Sequence, residues 1–556
     1  MPDTQTPLAA EWRQVSITFP YAETAAAGPV DITLRPGERV LLLGPSGSGK
    51  SSLLLALTGL IPASVPATVA GETAVFGQPS GDRSPADWAD TVAHYLQDAD
   101  QVLCGMRIRD EIAFALENRG LPVAEIERRI VAVMALLRLP ADWLARRSLS
   151  LSGGERQLVA LAAVLVQDAP ILLADEPTAH LSPEAADRLH AILAEPGAER
   201  AVLVVDHRLD GLVAVIDRVV VLGRSGAVIA EGPPRNLFRQ HHARLAAEGI
   251  WRPAASDLDA LLVARGLCLQ TPPLAVAEAL GQLDAGRFEG GDPASAEQAV
   301  RAFVEERLPP ARPPGKGAVV ARLVSADCAP FLGPTVLRAL DFAVTAGTIT
   351  VLVGRNGAGK STLGASLAGL LRLKGGRREG PPGAIAFQRP EDQFSAATVS
   401  GEVASMLPKG LEEPARQQRV DTALDVYGLR GLEDQHPATL SEGQKRRLVL
   451  AAIDAADRWP LLVLDEPTAG LDAAAVENLV TRLEAMRARG RALVLITHDM
   501  DLALRLGDRV AIVAGGSILE DGPAATVLLD AELLQRNGLR EPAVAAAMRW
   551  LEARSC

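Results

Sequence analysis

Short apolar runs that stop abruptly at polar residues recur along this chain in matched pairs. Val40 to Leu43 runs into GPSGSGKS and then into the apolar SLLLALTGL, and Ile349 to Val353 runs into GRNGAGKST. ILLADEP (Ile171 to Pro177) and LLVLDEP (Leu461 to Pro467) close on adjacent acids, while AVLVVD and ALVLIT precede His207 and His498. Uninterrupted apolar runs of this length predict strands buried on both faces of a parallel sheet, which deliver their polar ends to the sheet's carboxyl edge. Amphipathic spacing appears instead in Val123 to Leu139, which predicts surface helix, and in Leu258, Leu261, Leu262 and Ala299, Phe303. The fold class predicted is α/β.

The pairs are in register. Gln97 and Gln388 lie 291 residues apart, Ser152 and Ser441 289, Asp175 and Asp465 290, His207 and His498 291. A duplicated domain is the simplest account. Lys50 and Lys360 break step at 310, so the second half has about 19 fewer residues after its lysine, which predicts a trimmed antiparallel hairpin. Gly232-Pro233 with Gly249-Ile250 and Pro253 recurs as Gly522-Pro523 with Gly538-Leu539 and Pro542, so each half has its own tail. The expected organisation is a first domain over 1–253, a helical and proline-rich linker over 254–317 that includes RLPPARPPGKG, and a second domain over 318–556.

Composition narrows the class. The 556 residues carry 56 Lys plus Arg against 68 Asp plus Glu, a net charge of −12 and none of the basic excess of a nucleic-acid binder. Four scattered cysteines, Cys104, Cys268, Cys328 and Cys556, fit neither a zinc site nor a disulfide scaffold and suit a reducing compartment. The first twelve residues lack the pattern of a secretory signal. Leu53 to Gly71 is the longest uncharged window, but Gly59, Pro62 and Pro66 interrupt it, so no membrane span is expected.

The glycine-rich segments carry the chemistry. Each follows a strand and opens a helix, the context in which G-x-x-x-x-G-K-[ST] signals phosphate binding: backbone N–H groups and the helix N-terminus favour the anion, and the lysine reaches the terminal phosphates. The first candidate loop is Gly44, Pro45, Ser46, Gly47, Ser48, Gly49, Lys50, Ser51 and Ser52; the second is Gly354, Arg355, Asn356, Gly357, Ala358, Gly359, Lys360, Ser361 and Thr362. Only six lysines occur in the chain, and two stand here. Asp175 and Asp465 are candidates for holding Mg²⁺ with Ser51 and Ser361, and Glu176 and Glu466 for orienting and deprotonating the attacking water.

LSGGERQ (Leu151 to Gln157) and LSEGQKR (Leu440 to Arg446) resemble the signature of ABC ATPase domains. The resemblance implies two P-loop ABC ATPase domains in tandem, each a mostly parallel sheet flanked by helices, with an antiparallel β part and a helical subdomain. It implies that Ser152, Gly153 and Gly154 contact the nucleotide on the second loop, and Ser441, Gly443 and Gln444 that on the first. Gln97 and Gln388 match the Q-loop glutamine that senses Mg²⁺ and water, His207 and His498 the switch histidine at the γ-phosphate, and Phe19 the aromatic that stacks on adenine.

YLQDADQVL (Tyr95 to Leu103) and FQRPEDQFS (Phe387 to Ser395) resemble the Q-loop segment of energy-coupling factor ATPases, which power cobalt, nickel and vitamin importers. Such ATPases grip an integral membrane scaffold, the T component, which supports a small substrate-binding S component. The acids Asp98, Asp100, Glu391 and Asp392 would suit arginines on that scaffold. A cytoplasmic-face peripheral location, ATP and Mg²⁺ as ligands and no nucleic-acid partner follow as expectations. A monosaccharide-type tandem importer ATPase and a soluble ABC-F translation factor share the duplicated motifs; nine acids against six bases over Ala254 to Ala318 argue against ribosome binding.

This sequence departs from the family pattern at three places. Glu442 replaces a signature glycine, Ser182 stands where Asp472 keeps the usual acid, and the second half offers only Cys328 or Phe331 near the adenine position. With both glutamates and both histidines present, unequal hydrolysis at two sites is expected.

Overall fold

The computed structural model describes residues 7–20, 24–97, 99, 102–151, 153–179, 181–195, 199–308 and 317–555. The chain divides into two compact units, Met1–Val300 and Arg301–Cys556, each with its own apolar core.

In the first unit a six-stranded sheet runs in the order Val228–Gly232, Arg218–Leu222, Arg39–Leu43, Ala201–Val205, Ile171–Asp175, Val92–Tyr95. All neighbours are parallel except the first pair. Ile171–Asp175 and Ala201–Val205 are buried at every position, as their unbroken apolar sequences require of central strands covered on both faces. The second unit repeats the arrangement with Ala384–Ala386, Leu461–Asp465, Ala492–Ile496, Ile349–Val353, Arg509–Ala514 and Ser517–Pro523. Again only the last pair is antiparallel.

A separate antiparallel sheet accompanies each. The first unit's has four strands, Ala27–Leu34, Ala10–Thr18, Thr68–Val75 and Gln78–Pro79; the second's has three, Leu337–Thr345, Val319–Cys328 and Gly375–Glu379. The shorter second half therefore has no counterpart of Gln78–Pro79 among the described residues. Helices Ile108–Asn118, Val123–Leu136 and Gly153–Leu165 form the helical part of the first unit, matched by Val399–Met406, Glu413–Val426 and Glu442–Ala456. Val123–Leu136 buries Ile126, Ile130, Val133 and Met134, the spacing of one helical face.

The region between the two duplicated sets of motifs is folded over much of its length. Helices Ala254–Val263 and Val276–Asp284 pack against the first half's tail helix Pro234–Gln240 through Arg239 on buried Asp259 at 2.7 Å and Arg235 on Glu278 at 2.6 Å. A third helix, Pro293–Arg307, follows, and most of the proline-rich stretch after it lies outside the described residues.

Candidate active sites

Both glycine-rich loops leave a central strand and enter a helix, Lys50–Leu57 in the first half and Lys360–Ala368 in the second. The residue before each helix is a left-handed glycine, Gly49 (φ 82°) and Gly359 (φ 98°), and neither helix has a side-chain cap. The first-turn N–H groups thus meet no capping oxygen, which suits them to an anion. A Cβ on Gly49 would stand 2.3 Å from the Ala27 Cβ, so this turn admits no side chain. Lys50 Nζ donates to the carbonyls of Gly44 (2.9 Å) and Pro45 (2.8 Å), and Lys360 Nζ to those of Gly354 (2.7 Å) and Arg355 (3.0 Å). Ser48 Oγ is buried with no hydrogen-bond partner, an orphan that a phosphate oxygen would satisfy.

The acids arrive as the strand pattern requires. Asp175 hydrogen-bonds Ser51, and Asp465 hydrogen-bonds Ser361, so each candidate Mg²⁺ pair is already assembled. Burial pushes Asp175 up to about 7, reinforced by the Glu176 charge and, more weakly, Asp206, while Ser51 and Lys50 pull it back. Burial raises Asp465 too, against Ser361, Lys360 and Arg446. A desolvated carboxylate bonded to a hydroxyl fits a hard divalent cation. Among the described residues no group of three or more His, Cys, Asp or Glu is placed to hold a metal ion.

Glu176 and Glu466 follow directly, with φ of 49° and 47°. Left-handed backbone at a non-glycine residue costs about 1 kcal/mol or more, and each turn is held by its own N–H, donated to Val205 O (2.7 Å) or Ile496 O (2.9 Å). This conformation leaves each carboxylate 3.5 Å from a histidine, Glu176 from His207 Nδ1 and Glu466 from His498 Nε2. His498 Nε2 is also 3.5 Å from Lys360 Nζ. Burial opposes charging His207, but Glu176 and Asp206 together hold its pKa above the ordinary value. Lysine, acids and histidine of each half therefore converge on one cleft.

The remaining predicted residues border these clefts or lie apart. Gln97 and Gln388 follow the edge strands Val92–Tyr95 and Ala384–Ala386 and are half-buried. In the second half Gln393 closes this turn, accepting from Phe387 N (2.9 Å) and donating to Ile385 O (2.7 Å). Asp392 is exposed, and Glu391 lies 3.8 Å from Arg389. Asp98, Asp100 and Ser152 fall outside the described residues. Gly153 and Gly154 begin the helix Gly153–Leu165. Ser441 and Gln444 form a capping box on Glu442–Ala456, with Gly443 buried in its first turn. Phe19 packs half-buried against the antiparallel sheet. Cys328 is wholly buried within its strand, whereas Phe331 is 84% exposed. Ser182 and Asp472 cap the helices Pro183–Leu193 and Ala473–Ala488 alike.

Four residues escape sequence reasoning. Buried Glu111 accepts from Cys104 N, Met106 N and Ser148 Oγ at 2.7 to 2.8 Å, and Glu402 does the same for Ser395 N and Ala396 N, so each anchors the chain leaving a Q-loop. Their equal 291-residue separation was the available signal. Asp206, buried beside His207, accepts from Thr178 Oγ1 (2.7 Å) and from Arg208 N (2.8 Å). Arg446, buried, donates to Glu466 O and Gln388 O, both at 3.0 Å.

Comparison with known proteins identifies the family. The profile of the ABC transporter family matches residues 27–179 and 337–469. A Streptomyces avermitilis protein, provisionally named an ABC transporter ATP-binding protein, is 35% identical over 93% of this chain and 94% of its own length. YkoD of Bacillus subtilis, provisionally named an HMP/thiamine import ATP-binding protein, is 31% identical over 97% of this chain and 96% of its own. Among solved structures, a model of ribosome-bound archaeal Pelota and ABCE1 covers 98% of this chain and 83% of that chain at 18% identity and a TM-score of 0.61, a likeness of fold.

Proposed function

This chain belongs to the ABC transporter family and is an ATPase with two ABC domains, and from that premise we propose that it powers an importer for a small micronutrient through an energy-coupling-factor type membrane scaffold. Each half holds its nucleotide on its own loop, Gly44 to Ser52 or Gly354 to Thr362, with Gln97 or Gln388 beside it. Ser51 with Asp175 and Ser361 with Asp465 would hold Mg²⁺, which supplies charge neutralisation at the phosphates. Glu176 and Glu466 orient and deprotonate water, and His207 and His498 face the γ-phosphate. In this reading the two halves would pair within the chain, Ser152 to Gly154 serving the second loop's nucleotide and Ser441, Gly443 and Gln444 the first's. ATP binding closes the pair, and hydrolysis reopens it.

The observation that carries the finer reading is the Q-loop turn Phe387 to Gln393, closed on itself by Gln393 so that Asp392 faces outward. YkoD, related over nearly the whole chain, is named for a vitamin cargo, which lies within the proposed substrate class. No helix among the described residues is long and apolar enough to cross a membrane. The proposal therefore places the chain on the cytoplasmic face, with the span supplied by a T component and the cargo chosen by an S component. Proteins retained by the tagged chain after gentle solubilisation, identified by mass spectrometry, test this. A multi-span scaffold with a small hydrophobic subunit is expected; ribosomes without a membrane protein would overturn it. Reversing Glu391 and Asp392 to lysine should release the scaffold, and undiminished recovery would remove the charge contact.

A further inference from the structure

Arg446 and Glu442 both sit where the second half departs from the first. Their counterparts by register are Gln157 and Gly153. Arg446 lies on the second turn of Glu442–Ala456, the helix that Ser441 caps, and its guanidinium is buried. One nitrogen, Nη1, donates to the carbonyl of Glu466, the residue held at φ 47°. The other, Nη2, donates to the carbonyl of Gln388 and lies 3.3 Å from Glu442 Oε1. One planar fork thus ties together the signature helix, the strained peptide of the hydrolytic carboxylate and the Q-loop. A fork suits this task because its donors diverge in a fixed plane and its charge persists when buried. In the first half Gln157 is equally buried but neutral, and its Oε1 has no hydrogen-bond partner.

We propose that Arg446 is a positioning residue for ATP hydrolysis in the second half, locking Glu466 and Gln388 to the signature helix, and that Glu442 is retained there as its counter-ion. The departure at Glu442 then has a local reason: its carboxylate turns toward Arg446, one helical turn on. This rests on the reading that Glu466 serves the nucleotide held by Lys360.

The test is made on the full chain carrying Glu176→Gln, so that residual turnover reports the second half. Arg446→Gln copies the residue that the same fold buries in the first half. It is expected to lower kcat about ten- to a hundredfold, as small misplacements of catalytic groups do, with KM for MgATP within about twofold. Arg446→Lys keeps the charge without the fork and should fall between. An unchanged kcat in Arg446→Gln, or a loss carried by KM instead, would overturn the proposal. If Arg446→Gln does not fold, Arg446→Lys decides, and parental kcat in it would be equally fatal. A parent with no turnover would remove the second-site assignment and this proposal together, whereas an active parent indifferent to Arg446 removes the proposal alone.

Discussion

The two halves build the same arrangement of lysine, acids and histidine on the same backbone and then surround it with differently placed charges. In the first, the residue before the switch histidine is buried Asp206 and the residue after it is Arg208; in the second they are Thr497 and Asp499. Asp499 caps the helix Met500–Leu506 by accepting from Leu502 N, but Arg208 cannot cap, and residues 210–214 form turns with no helix. Arg208 instead donates to the carbonyls of Thr178 and Leu181, next to Ser182. The acid thus precedes the histidine in the first half and follows it in the second, and only the second has Arg446 against its carboxylate strand end. Duplication kept the loop lysine, the strand-end acids and the histidine of each half and let their surroundings diverge, so the halves should share a reaction and differ in rate and proton linkage.

The sharpest way to break this comparison is to remove the carboxylates. Glu176→Gln with Glu466→Gln should lower steady-state ATP turnover about a hundredfold or more, and each single variant should keep an unequal share. Full turnover in either single variant would show that the half it alters is silent.

Proton linkage comes next in size. In the proposed site metal would displace the proton on Asp175, which burial pushes up to about 7, so the first half's affinity for Mg²⁺ should fall about tenfold per pH unit below that value and level off above it. Magnesium titrations of turnover in the Glu466→Gln chain measure this. Asp206→Thr, copying the second half, removes a charge that raises both Asp175 and His207, so the fall should move to lower pH. A profile that stays put would remove Asp206 from the account.

The smallest effect is expected at Ser182. Because Ser182 and Asp472 both cap a helix through a backbone N–H, Ser182→Asp should change stability by less than about 0.5 kcal/mol. A larger shift in thermal melting would show that this position differs between halves by more than its cap.

The duplication, the strands and the loop lysines were legible because each is a local pattern: an apolar run, a glycine spacing, a fixed offset. Val123 to Leu139 gave up its buried face in the same way. Glu466 could be named from its strand end, but its left-handed backbone depends on Ile496, thirty residues on. Arg446 looked like one more basic residue in a signature, because its partners are carbonyls 20 and 58 residues distant, and carbonyls leave no mark in a sequence. The apolar spacing after Ala254 predicted helix correctly, yet only the folded chain reveals Asp259 as the buried seat for Arg239.

The loop lysines have a consequence for genetics. Each is a tenant of its own loop, bonded to two of that loop's carbonyls. A Lys50→Ala or Lys360→Ala allele would therefore remove a structural brace as well as a ligand contact. Its phenotype would mix lost binding with a slackened loop, so alleles of Glu176 and Glu466 are the better instruments for separating empty sites from occupied but idle ones.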